Sequence, residues 1–175
     1  KKALADHLTR TGRTGTVEDG LFPSTYRVKW DIVGEPKVSI LIPNKDHTED
    51  LEKCLHSIWT KTEWEHFEVI VVENNSTDPA TFAYYKKAQQ RYDGLRVVTY
   101  PKKGFNFSGI NNFGRKYATG EYLLLLNNDT EVITPNWLEE MVMYAQQKRV
   151  GCVGAKLLYP DDTIQHAGIG FGIGG

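Results

Sequence analysis

Short apolar runs alternate along this chain with segments whose apolar residues recur at helical spacing. Val38-Ser39-Ile40-Leu41-Ile42 reads as a buried strand stopped by Pro43. Leu51, Cys54, Leu55, Ile58 and Trp59 then share one helical face, which predicts a helix capped by Asp46 or Thr48, with Glu49 and Asp50 at its positive end. Val69-Ile70-Val71-Val72 is the second strand. Asp78-Pro79 opens another helix, carrying Phe82, Tyr85 and Tyr92 and ending at Asp93-Gly94. Residues 95–100 form the third strand, 106–118 a helix closed by Gly120, and 122–126 the fourth strand. Thr134-Pro135 opens a helix through Met141 and Ala145, and residues 150–155 make a further strand.

Strands apolar on both faces, alternating with helices, predict an α/β fold: a Rossmann-like three-layer sandwich with a mostly parallel central sheet and right-handed crossovers. Residues 1–35 differ, with loop chemistry at Thr11-Gly12-Arg13-Thr14-Gly15 and a half-exposed strand at Tyr26-Arg27-Val28-Lys29-Trp30. They read as an amino-terminal extension or linker, its first residues a helix end or a frayed terminus, and residues 36–175 as the domain. The glycine-rich run Gly168-Ile169-Gly170-Phe171-Gly172 is expected to be poorly ordered.

Composition narrows the function. The chain has 175 residues, 40% hydrophobic and 25% charged, enough for one core that needs no structural metal. Its 21 basic and 22 acidic side chains leave a formal charge of −1, which disfavours a nucleic-acid binder. No apolar stretch is long enough for a membrane span, and no signal-peptide core follows Lys1-Lys2-Ala3. Cys54 and Cys152 lack a metal-ligand spacing and are expected to be reduced core thiols, which fits a cytoplasmic location.

In a parallel α/β sheet ligands gather at the carboxyl ends of the strands. Three polar segments fall there: Pro43-Asn44-Lys45-Asp46, Glu73-Asn74-Asn75-Ser76-Thr77-Asp78 and Asn127-Asn128-Asp129. Their carboxylates and amides suit a nucleoside and a hard divalent cation, although each segment alone is also ordinary turn chemistry. There is no glycine-rich phosphate loop of P-loop type, no G-x-S-x-G elbow and no H-E-x-x-H helix.

These segments, with Gly120-Glu121-Tyr122-Leu123-Leu124-Leu125-Leu126 leading into Asn127-Asn128-Asp129, resemble family-two glycosyltransferases of the GT-A fold. The resemblance covers about residues 38–170. Gly154 to Asp161 and Ile164 to Gly168 look like the branch that builds bacterial surface polysaccharides. The resemblance implies a nucleoside diphosphate sugar as donor, a glycan or lipid-linked acceptor, inversion at the anomeric carbon, and Mn²⁺ or Mg²⁺ as cofactor. Such an enzyme would be cytoplasmic, at most peripheral at the inner face of the cell membrane.

Asp129 falls on the last carboxylate of the family's D-x-D motif, a metal ligand, and Asn128 stands where another acid is common. Glu73 occupies the position of an Asp that faces the nucleobase. Pro43 matches the end of the family's first strand, which lines the base pocket, and Asn44 and Asp46 are further donor-site candidates. Asn106 lies near a position where relatives carry a phosphate-binding Arg. Lys102 and Lys103 are close enough in sequence to replace it, although a solvated loop is the favoured explanation for them. His166 is a candidate for contact with metal, diphosphate or acceptor, or a structural histidine. The family's general base is an acid well downstream of the metal motif and is expected beyond Gly175, so the chain reads as the donor half of a site. A non-catalytic nucleotide- or sugar-binding module is the alternative reading.

Overall fold

A computed structural model describes residues 1–169. Gly170-Phe171-Gly172 of the glycine-rich run lie outside the described residues. The elements are α1 (Lys2–Arg10), β1 (Gly15–Asp19), β2 (Tyr26–Trp30), β3 (Val38–Asn44), α2 (Thr48–Lys61), β4 (Phe67–Glu73) and α3 (Pro79–Arg91). They continue as β5 (Leu95–Thr99), α4 (Phe107–Gly114), a 3-10 turn (Arg115–Tyr117), β6 (Tyr122–Leu125), α5 (Trp137–Ala145), β7 (Leu157–Leu158) and β8 (Ile164–His166). The described residues form two compact units, Gly34–Leu138 and Lys1–Val33 together with residues 139–169.

The unit Gly34–Leu138 is built on a four-stranded sheet of order β5-β4-β3-β6, parallel throughout. β3 is apolar on both faces because both are covered. Leu41, Ile70, Val72, Val98 and Tyr100 pack with Ile110 of α4, and Gly114 lets that helix approach Val72 and Leu41 closely. Ile40, Ile42, Val69 and Val71 share the opposite parity and are buried, as are Leu51, Leu55 and Ile58 of α2 and Tyr84, Tyr85 and Ala88 of α3. Trp59, half-buried, stacks on the buried Tyr92 with ring centroids 4.6 Å apart.

A buried polar knot closes the amino-terminal end of the sheet. The Glu68 carboxylate accepts from Ser39 Oγ at 2.7 Å, from the Thr119 amide at 2.6 Å and hydroxyl at 2.9 Å, and from Lys37 Nζ at 3.1 Å. Burial pushes its pKa up, but these bonds outweigh burial and hold it at about 2 against 4.5 for a free side chain. A carboxyl held low when folded stabilises above its unfolded pKa and loses that contribution as pH falls through the folded value. That is about 3 kcal/mol, lost between about pH 5 and pH 2. Glu68→Gln should therefore melt well below the parent chain at pH 7, with the gap narrowing towards pH 2.5; a gap independent of pH would remove Glu68 from this role.

The structure corrects several local expectations. β3 does not stop before Pro43 but continues to Asn44, with Pro43 in register with Val72. The Leu41 carbonyl accepts from Leu126 on the β6 side, whereas Asn44 faces β4, so Pro43 turns its missing N–H to a side where β6 has already ended. Neither Asp46 nor Thr48 caps α2; the N-cap is His47, in left-handed conformation and without a side-chain cap. Asp78 does cap α3, accepting from Ala80 at 2.8 Å, but its buried face is Thr81, Tyr84, Tyr85 and Ala88, with Phe82 exposed. Residues 150–155 form no strand, and the short pair β7-β8 follows instead, because an apolar run without a partner edge has no ladder to join. Both cysteines are free, but only Cys54 is buried; Cys152 is exposed.

In the other unit, β1 and β2 form an antiparallel hairpin. Arg27 of β2 forks onto both oxygens of Glu140, and Gln146 bonds Asp31 and Val33. Leu8 of α1 is buried there, and β8 ends at His166, in register with Leu157. No described helix is long and apolar enough to cross a membrane.

Candidate functional site

Strand periodicity sets up the site. Asn44 and Glu73 are opposite each other at the last register positions of β3 and β4, so their side chains share the face that meets α3. Both are only 2% exposed and must find partners. Tyr85 of α3 supplies them: its hydroxyl donates to Glu73 Oε2 at 2.6 Å and accepts from Asn44 Nδ2 at 2.8 Å. Burial, followed by the Glu73 carboxylate, pushes the Tyr85 phenol up, so the hydroxyl keeps the proton it donates.

This chain of bonds extends in both directions. Asn128 Nδ2, after β6, donates to Asn44 Oδ1 at 2.7 Å, which ties the third polar segment to the first. At the other end the amide and hydroxyl of Ser76 donate to the two Glu73 oxygens at 2.5 Å each. Ser76 Oγ in turn accepts from the Asp46 amide at 2.8 Å. The Asp46 carboxylate accepts from the amides of Thr77 and Asp78, and the Asp78 amide first among them holds its pKa below the usual range. Asp46 and His47 are left-handed at φ 53° and 47°, a strained pair for non-glycine residues that these bonds hold in place.

The loop after β6 rests on α2. The buried Cys54 thiol lies 3.7 Å from the Asn127 carbonyl and 3.8 Å from Thr130 Oγ1, and burial pushes its pKa up to about 11. Thr130 Oγ1 donates back to the Asn127 carbonyl at 2.8 Å, and Ser57 Oγ accepts from the Val132 amide at 3.0 Å. Asp129 is exposed within the turn so formed.

A cleft of about 190 Å³ opens at this sheet edge, lined by Pro43, Asn44, Lys45, His47, Asn74, Phe105 and Asn128. Of the residues singled out in the sequence, Pro43, Asn44 and Asn128 line it, and Asp129 follows Asn128 directly. Glu73 and Asp46 do not line it; their carboxylates are taken up inside the loops. Asn106 is outside the lining too, its oxygen capping α4 by accepting from Gly109 at 2.8 Å. His166 belongs to the other unit. Lys45, His47, Asn74 and Phe105 were not singled out. Asn74, Lys45 and His47 lie in or beside the polar segments and follow from their strand-end position, but Phe105 reaches the cleft from a loop with no such signal. No cluster of three or more His, Cys, Asp or Glu side chains suited to a metal occurs among the described residues.

The sequence model described as Glycosyl transferase family 2 matches residues 39–168, which include every residue lining this cleft. The chain belongs to that family. It is 45% identical to the O-antigen biosynthesis protein RfbC of Myxococcus xanthus over 99% of its own length, but it spans only 13% of that protein. Among solved structures, the mannosyltransferase PcManGT from Pyrobaculum calidifontis, in complex with GDP-Man and Mn²⁺, superposes with a TM-score of 0.64 over 91% of this chain and 44% of that one. At 19% identity this likeness shows the shared GT-A fold. Residues 1–349 of S. aureus TarS in complex with UDP match with a TM-score of 0.50 and 26% identity, over 59% of this chain and 30% of that one.

Proposed function

We propose that this family-two glycosyltransferase chain binds a nucleoside diphosphate sugar in the cleft at the carboxyl ends of β3, β4 and β6, as the donor of an inverting sugar transfer. The observation that carries this reading is the 2.7 Å bond from Asn128 to Asn44, which draws the β3 and β6 segments together around a cleft also lined by Asn74. GDP-Man with Mn²⁺ in PcManGT and UDP in TarS support a nucleotide in the equivalent fold. The name of RfbC supports polysaccharide assembly as the setting, with a glycan or lipid-linked acceptor.

Asn74 offers the nucleobase an amide edge, while Glu73 positions the loop that carries it. Lys45, at the cleft, supplies a positive charge for the diphosphate. The donor set fits a hard cation that keeps most of its waters: Asp129 gives one exposed carboxylate, and Asn128, its Nδ2 spent on Asn44, has its oxygen left for a ligand. Breaking the bond from the anomeric carbon to diphosphate gathers negative charge on the leaving group, and a bound Mn²⁺ or Mg²⁺ would supply Lewis-acid neutralisation of it. The chain's own part is to hold the donor at fixed amides, with few waters to reorganise as that charge forms.

Calorimetry of UDP, GDP and dTDP, with Mn²⁺ and with chelator, is the direct test. One nucleotide should bind at least tenfold more tightly with metal. Equal affinity in both would remove the metal from the reading, and no binding by any nucleotide would overturn it.

A further inference from the structure

Phe105 is out of keeping with its surroundings. The cleft's other lining residues are Pro43, Asn44, Lys45, His47, Asn74 and Asn128, yet Phe105 holds a ring there that is 74% exposed. Its ring neighbour is Phe107, 6.5 Å away and tilted by 43°, which is itself 44% exposed, so core packing does not account for its position. Nor is it simply adrift in a loop. Two residues before the short glycine turn, the Lys102 carbonyl accepts from Asn75 Nδ2 at 2.9 Å, which moors the loop to the segment bearing Asn74. One residue after Phe105, Asn106 caps α4. Gly104 between these anchors has φ +82°, a left-handed conformation that glycine adopts without strain and that directs the chain into the cap.

The lining thus divides by chemistry. Pro43 and Phe105 are its apolar members, and Asn44, Asn74 and Asn128 are amides able to donate and accept. A flat heteroaromatic ring with polar atoms around its edge matches that set: apolar groups for its faces, amides for its rim. A diphosphate has no use for a phenyl ring; a pyranose can lay a C–H face on one, but its rim of hydroxyls offers no flat edge to the amides, and comparing nucleotide with nucleotide sugar separates the two.

We propose that Phe105 is the stacking wall for the nucleobase of the donor. The inference rests on the donor-binding reading above. It assigns base affinity to a loop after β5, separate from the strand ends that hold the polar contacts. Because a phenyl ring stacks on any base, Phe105 sets the strength of binding, and the amides set the choice of base.

The test compares the parent chain, Phe105→Ala, Phe105→Tyr and Phe105→Trp by calorimetry in Mn²⁺. Each is titrated with the tightest of UDP, GDP and dTDP, with the corresponding nucleotide sugar, and with inorganic pyrophosphate as the base-free probe. Phe105→Ala should weaken the nucleoside diphosphate and its sugar equally, about tenfold, and leave pyrophosphate unchanged. Tyr and Trp should bind within twofold of the parent. The side chain is exposed, so melting temperatures should agree across the series. Unchanged nucleotide affinity in Phe105→Ala, an equal loss for pyrophosphate, or a loss confined to the nucleotide sugar would each overturn the assignment. A parent chain that binds pyrophosphate but no nucleotide would overturn the donor-site reading itself, a result distinct from all three.

Discussion

Glu73→Ala is expected to lower stability by about 3 kcal/mol, a fall of roughly 10 °C in melting temperature, and to weaken nucleotide binding in whatever fraction remains folded. Glu73 is the acceptor on which the site's hydrogen bonds end. Without it the buried Tyr85 hydroxyl and the two half-buried Ser76 donors lose their partner. Ser76 is also the acceptor for the Asp46 amide, so the loss spreads to the loop after β3. Glu73→Gln should be almost as harmful, since its amide group presents two donors where donors already converge. Thermal melting with a nucleotide titration reads both effects. A Glu73→Ala chain that melts with the parent yet loses nucleotide would instead make the carboxylate a direct ligand of the base.

Asp129→Ala should do the opposite. The side chain is exposed, so the melting temperature should stay within a degree or two of the parent value. The gain in nucleotide affinity on adding Mn²⁺ or Mg²⁺, by contrast, should vanish, leaving the affinity measured in chelator. Asp129→Asn keeps the shape but removes the charge, and it should lose nearly as much, because among the described residues no cluster of three or more His, Cys, Asp or Glu side chains stands ready to hold the cation in its place. Metal-dependent binding that survives in both variants would assign the cation to other ligands. Together the two substitutions separate a residue that builds the site from one that acts in it.

The contrast between Glu73 and Asp129 also marks the boundary of what the chain discloses in one dimension. Runs such as Val38-Ser39-Ile40-Leu41-Ile42 and Val69-Ile70-Val71-Val72 can be stable only as strands buried on both faces, and the helices between them impose parallel order. Parallel order alone puts Asn44, Asn74 and Asn128 at one sheet edge, so the place of the cleft was legible from spacing, and the family from the resemblance of the motifs around it. Which atoms face the cleft was not. Period-two geometry shows that Asn44 and Glu73 share a face, but that Asn44 lines the cleft while the Glu73 carboxylate is taken up beneath it depends on Tyr85, twelve residues beyond Glu73 and on another element. In the same way, Phe105 reaches the cleft because Asn75 moors its loop and Asn106 starts α4, and residues 150–155 stay irregular because strand pairing needs a second chain segment. Backbone periodicity is a local property that the sequence carries with it; the direction of a side chain at a strand's end is set by hydrogen-bond partners that only the folded chain brings within reach.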